Sequence, residues 1–288
     1  MSKKKGILLM AFGSPEYIYM AAQMAMSIRV HNKKIPIQLV HDWHIGYLPE
    51  QYHSLFSQFT SIEKSHFFIG NNFEPGFAKI KAYNYSVFEE TIFLDVDGIC
   101  LKDIEPLFDH CKKYYHTEVI GSGKIEEKIE YAHWANNKET WEVFGLSPDQ
   151  TYFAVQSSFQ YFRKCKEMDA LAKSFKKEFN FPKENLTNEW GKSIPDELII
   201  GGACAKANHD PSIDTSVTFF GNKGNRKEIA QVMSDHYISS LYGNGRGTKL
   251  VMERYVDMYD RLMFKYAREM KMTVIRRASQ LMKNKHVG

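Results

Sequence analysis

Two carboxylates stand one residue apart at the end of an apolar run, where Ile92-Phe93-Leu94 leads into Asp95-Val96-Asp97-Gly98. In open α/β sheets ligands bind outside the carboxyl ends of the strands. Strand alternation sends Asp95 and Asp97 to one side and Val96 to the other. Two hard oxygen donors on one side suit a divalent cation, and such a cation bridges a diphosphate and stabilises it as it departs. The plain alternative is a pair of strand-end turn acids. A second acidic pair, Pro195-Asp196-Glu197, opens a short helical pattern over Leu198 to Ala207. Proline suits a first turn, and acids suit the positive end of the helix dipole. An acid there can serve as a general base.

Other residues fit the same chemistry. Lys79 and Lys81 precede the acidic strand, and one of them reaches phosphates in this reading, with Lys79 the candidate. Asp42 ends an earlier strand and is a candidate for ribose or base edges, and Tyr17 is a candidate for stacking on a nucleobase. Gly243-Asn244-Gly245-Arg246-Gly247, followed by Lys249, offers backbone N–H groups and cations that can close over a diphosphate. The alternative is a hinge before the last helix. The segment is neither a Walker loop nor a dinucleotide fingerprint, because no strand precedes it and it lies late in the chain.

The elements that must position these residues read as α/β. Gly6 to Phe12 is a continuous apolar run ending at Gly13-Ser14-Pro15, as expected of a strand buried on both faces. Tyr17 to Val30 has helical spacing, and Pro36 to Val40 is a second strand. Strand, helix, strand within this length predicts a βαβ unit and a parallel sheet. Downstream, the pattern predicts a helix over 77–90, strands over 91–94, 119–123, 152–162 and 217–220, and a helix over 168–179. Beyond residue 249, Val251, Tyr255, Met258, Leu262, Tyr266 and Met270 form one apolar stripe, predicting a long helix to about Met282. The expected division is a main domain over 1–248 and a basic helical extension over 249–288.

Composition narrows the class. No apolar stretch approaches the roughly 18–20 residues that a membrane span needs, and the basic start Met1-Ser2-Lys3-Lys4-Lys5 lacks the apolar region of a signal peptide. Cys100, Cys111, Cys165 and Cys204 are scattered, as expected of reduced thiols in a cytoplasmic protein. The chain carries a formal +4, but residues 261–288 alone carry eight Lys or Arg and one Glu. The basic tail points to nucleic acid or an anionic membrane surface, against the alternative of a solvated helix face.

Several segments together resemble GT-A glycosyltransferases, nearest to glycosyltransferase family 8 and related bacterial or phage enzymes. Ala11-Phe12-Gly13-Ser14 with Tyr17 resembles that family's opening strand and nucleotide loop. Phe93 to Asp97, with Asp103-Ile104 downstream, resembles its metal motif. Val155 to Phe162, including Ser157, resembles its Asn-Ser-Gly segment, and Pro195 to Leu198 its Asp-Gln segment. The similarity spans roughly residues 6–245 and lies in order and spacing. Gln156-Ser157-Ser158 and Glu197 depart from the family pattern, which leaves the stereochemistry open.

The resemblance implies a Rossmann-like, mixed but mainly parallel sheet flanked by helices, and transfer of a sugar from a nucleoside diphosphate donor, with UDP expected, to an acceptor hydroxyl. With it, the candidate donor contacts are Ala11, Phe12, Gly13, Tyr17, Asp42, Lys79, Asp95, Val96 and Ser157, with Asp196 and Glu197 at the sugar or acceptor; Gly243, Arg246 and Lys249 are candidates from their own chemistry, since the family's usual His-x-x-Gly-x-x-Lys spacing is absent. Such enzymes complete their metal shell late in the domain. His236 is the candidate third ligand beside Asp95 and Asp97, with Asp235 the fallback, and imidazole favours Mn²⁺ over Mg²⁺. Two acceptor classes follow: a saccharide or lipid-linked glycan at the cell envelope, with the tail on anionic lipid, or hydroxylated pyrimidines in DNA, as in phage enzymes within the host cytoplasm. A nucleotide-sugar-binding or nucleotidyltransferase-like protein is the rival class.

Overall fold

The structure is a computed structural model that describes residues 3–124, 144–179, 194–220, 234–240 and 249–274. It is mixed α/β, with a mainly parallel central sheet flanked by helices. The chain forms two compact units, one of residues 5–62, 94–110 and 215–288 and the other of residues 1–4, 63–93 and 111–214.

The first unit begins with the βαβ unit. Strands β1 (Lys3–Ala11), β2 (Ile37–His41) and β3 (Gln58–Ser61) pair in parallel in the order β3-β2-β1, with Ala11 opposite His41 and Val40 opposite Thr60. All five residues of β2 are buried, which explains its lack of alternation. Between β1 and β2, helix α1 (Pro15–His31) starts where the Ser14 side chain accepts the Glu16 N–H, with Pro15 at its first position. In the same unit, β7 (Gly98–Cys100), β10 (Thr218–Phe220) and β11 (Ile238–Ser240) form a small sheet in the order β10-β11-β7. The Cys100 N–H donates to Ser27 Oγ at 2.9 Å, tying β7 to α1.

The long last helix, α7 (Lys249–Glu269), lies against α1. Tyr259, Met263, Tyr266 and Ala267 are buried, and the Tyr259 hydroxyl donates to Gln23 Oε1 at 3.4 Å. The helix stops well before Met282. The Met272 N–H bonds back to Ala267 O and the Lys271 N–H to Arg268 O, with Lys271 at φ 54°. This is a Schellman end with lysine where glycine is usual, and no glycine marks the stop in the sequence. Replacing Lys271 with Gly removes the left-handed strain, and the expected result is a gain of about 1 kcal/mol in denaturant unfolding.

In the second unit the strand order is β6-β9-β8, from β6 (Phe88–Leu94, of which Phe88–Phe93 lie in this unit), β9 (Tyr152–Arg163) and β8 (Tyr115–Gly123), the last two antiparallel. A short hairpin, β4 (Phe68–Ile69) and β5 (Asn72–Phe73), precedes them. The helix expected over 77–90 is instead two short ones, α2 (Pro75–Lys79) and α3 (Ala82–Tyr85). Ser86 breaks the run: its hydroxyl accepts the Phe88 N–H at 3.2 Å and pairs with Thr91 Oγ1 at 2.6 Å, offering the backbone an alternative to the helix.

Helix α4 (Leu107–His110) lies in the first unit, and α5 (Lys166–Glu178) and α6 (Asp196–Lys206) lie in the second. Helix α6 packs on β9 and α5. It approaches β9 so closely that a Cβ on Gly201 would meet Phe153 O at 2.1 Å. Gly201→Ala therefore pushes the helix off the strand, with an expected loss of about 1–3 kcal/mol in thermal or chemical unfolding. Among the described residues no helix is long and apolar enough to cross a membrane, and all four cysteines are free thiols.

Candidate active site

In the first unit, the acidic pair sits where β6 ends and β7 begins. The pair lies in a bend between the two strands rather than in a strand: Asp95 and Asp97 are half-buried, while Val96 is 5% exposed. Gly98 follows because no side chain fits there; a Cβ would meet Ser239 O at 3.0 Å and Met24 Cε at 3.2 Å. Behind the pair stands Tyr259, whose phenol is held well above its ordinary range by burial and by the charges of Asp260 and Asp97. Val96, a candidate donor contact, has its side chain in the core and can offer only backbone.

The loop after β1 lies in the same unit. Ala11 and Phe12 are buried, and the exposed group is Gly13, at φ 85°. The Gly13 N–H donates to Asp42 Oδ2 at 2.8 Å. Asp42 Oδ1 accepts the His44 N–H at 3.0 Å, and the His44 ring nitrogen Nδ1 lies 2.8 Å from Oδ2. Asp42 is 1% exposed. Asp42, the candidate for ribose or base edges, braces two loops through these bonds. Tyr17 is half-buried in the first turn of α1.

The small sheet places the segment that carries the candidate third ligand. Ser240 pairs with Gly98 and Ile238 with Cys100, and the Leu101 N–H donates to Tyr237 O at 2.8 Å. Lys102 Nζ reaches Asp235 O at 3.2 Å and lies over the Tyr237 ring. Asp235 and His236 thus come just before β11, outside the residues paired with β7. Among the described residues no group of three His, Cys, Asp or Glu side chains can hold a metal. Gly243 and Arg246 lie outside the described residues, and of Lys249 only the backbone, opening α7, is described.

The second unit holds the other pair. Pro195 precedes the first turn of α6, where Asp196 is buried and Glu197 half-buried. Helix α2 comes close because residue 76 is glycine; a Cβ there would meet Ile194 O at 2.9 Å. This brings Lys79 Nζ to 3.3 Å from Asp196 Oδ2 and 3.1 Å from Ser157 Oγ. Ser157 Oγ donates in turn to Glu197 Oε1 at 3.1 Å. Asp196 Oδ2 receives no well-angled hydrogen bond, so the ammonium charge of Lys79 is what offsets its burial. Ser157 is fully buried; it bridges Lys79 and Glu197, a link the sequence does not announce because the three residues come from three separate segments. Lys81 instead lies over the Phe77 ring, at 3.2 Å, and burial lowers its ammonium to about 8.

Comparison with known proteins agrees with this architecture. The chain is similar to the galactosyltransferase LgtC, solved with donor and acceptor sugar analogues, with 12% identity, coverage of 88% of this chain and 95% of that one, and a TM-score of 0.54. It is also similar to the bifunctional glycosyltransferase WbbM, with 10% identity, coverage of 92% and 52% and a TM-score of 0.58. The fold is GT-A. A third GT-A structure, GlyE of Streptococcus pneumoniae TIGR4, matches with 13% identity, coverage of 93% and 64% and a TM-score of 0.50. The model of the family described as "Mannosyltransferase putative" matches residues 4–121, less than half of the chain. That GT-A segment runs from β1 through Asp95 and Asp97 into β8. No curated protein matches the sequence.

Proposed function

We propose that the chain is a glycosyltransferase that moves a hexose or pentose from a nucleoside diphosphate sugar to an acceptor hydroxyl. The observation that carries this reading is the half-buried Asp95 and Asp97 flanking buried Val96 where a GT-A strand ends. These two carboxylates are the residues that would hold Mn²⁺ or Mg²⁺. Their oxygen donors suit either ion. The ion, when bound, neutralises the departing diphosphate.

The chain's own residues do the rest. The exposed Gly13 backbone lets the nucleotide approach β1 closely, and Asp42 fixes that loop. Lys79 neutralises buried Asp196 and holds the first turn of α6 in place. Ser157 orients Glu197, which takes the proton of the acceptor hydroxyl. The matching family's description and the LgtC comparison favour a hexosyl donor. The test is release of nucleoside diphosphate from UDP-glucose, UDP-galactose and GDP-mannose with Mn²⁺, Mg²⁺ or EDTA. One donor is expected to turn over, and only with metal; no turnover of any donor under any metal counts against the reading.

For the acceptor, the exposed face of α7 and the turn that ends it favours an envelope glycan over DNA. Arg261, Phe264, Lys265, Arg268 and Lys271 are exposed, and Phe264 is 48% exposed among the cations. A basic face with an aromatic residue in its midst suits an anionic membrane surface. The enzyme then works at the cytoplasmic face on a saccharide or lipid-linked acceptor. Sedimentation with phosphatidylglycerol vesicles is the check, and tighter binding to DNA than to vesicles at the same salt reverses the choice.

A further inference from the structure

We propose that Trp43, backed by His44 and flanked by Tyr47, is the platform on which the donor's nucleobase stacks; this rests on the nucleotide-sugar reading above. Strands β1 and β2 are parallel, with Met10 opposite Val40 and Ala11 opposite His41, so their carboxyl ends emerge side by side. One end continues into Gly13, the other through Asp42 into the short helical turn Trp43–Tyr47. This is the sheet edge at which α/β folds receive ligands.

The turn leaves large rings in water. Trp43 is 59% and Tyr47 51% exposed, whereas His44 between them is 7% exposed. Neighbouring exposed aromatics mark a contact surface more often than isolated ones do. The rings are also fixed. The His44 ring lies against Trp43 with centroids 3.6 Å apart and planes at 30°, and it stacks with Tyr47 at 6.2 Å. Asp42 holds His44 through both its backbone and its ring, and the same carboxylate accepts the Gly13 N–H. The loop that lets a diphosphate approach and the ring that can stack a base are therefore one hydrogen-bonded assembly. A backed indole exposing its other face is preorganised for a planar π-ligand, and every nucleobase has such a face. Tyr17, the ring expected from sequence to stack the base, is less exposed and sits in the first turn of a helix.

The test is isothermal titration of UDP, GDP and inorganic pyrophosphate into wild type, Trp43→Ala, Trp43→Phe and Tyr47→Ala, all with Mn²⁺. Trp43→Ala is expected to weaken UDP and GDP by about 10- to 100-fold, the range of a lost base–aromatic stack, while pyrophosphate binds as before. Trp43→Phe keeps most of the affinity, and Tyr47→Ala costs less than Trp43→Ala. Because Trp43 is largely exposed, melting temperatures are expected to be unchanged. Equal UDP affinity in wild type and Trp43→Ala overturns the platform while leaving the donor assignment intact. Equal weakening of UDP and pyrophosphate also overturns it. Failure of wild type to bind any nucleoside diphosphate overturns both.

Discussion

Asp97→Asn lowers kcat/KM for sugar transfer by at least about a hundred- to a thousandfold, and the double variant Asp95→Asn/Asp97→Asn lies at the limit of detection. The basis is charge at one place. Two carboxylates stand where β6 ends, and under the proposed function they would hold a divalent cation that would offset the negative charge growing on the leaving diphosphate. Removing one preorganised electrostatic partner of a developing charge costs on this order. Asparagine keeps the size and the surroundings of Asp97, including buried Tyr259 behind it. Circular dichroism and the melting temperature are therefore expected to match wild type within a few degrees. A variant that folds normally and keeps more than a third of its activity contradicts the role.

Glu197→Gln is the second large effect. Glutamine can still accept the hydrogen bond from Ser157 Oγ, so the substitution removes a base and little else. The expected fall in kcat is about 10²- to 10⁴-fold, the usual range for a lost general base, with donor KM changed by less than about threefold. The acid limb of the kcat–pH profile vanishes with it. Ser157→Ala, which leaves the carboxylate but frees it to rotate, is expected to cost about tenfold in kcat and to keep that limb. The contrast separates proton transfer from positioning. If Glu197→Gln raises donor KM and spares kcat, Glu197 binds the sugar rather than accepting a proton.

What the sequence makes legible here is what local pattern determines. The apolar runs of β1 and β2 declare strands buried on both faces. The helix after β1 is legible from Tyr17 on, two residues after its actual start at Pro15, and the acidic pair is legible at the end of its apolar run, although Asp95, Val96 and Asp97 form a bend rather than a strand. Long-range pairing is not legible. His236 follows a polar stretch and looks available as a ligand, yet its position depends on the register of β11 on β7, two three-residue strands far apart in the chain. Asp42 reads as a strand-end ligand because its partner, the Gly13 N–H, lies 29 residues earlier. The end of α7 is missed because the left-handed position carries Lys271 rather than glycine. Trp43 goes unnoticed because exposure, not residue type, is what distinguishes it.

The central claim is that Asp95 and Asp97 bind a nucleoside diphosphate through a shared divalent cation, and titration calorimetry of UDP and GDP tests it most directly. With Mn²⁺, one nucleotide is expected to bind wild type at least about tenfold more tightly than in EDTA, with that gain absent in Asp95→Asn/Asp97→Asn. Equal affinity with and without metal, or an undiminished metal effect in the double variant, contradicts the account.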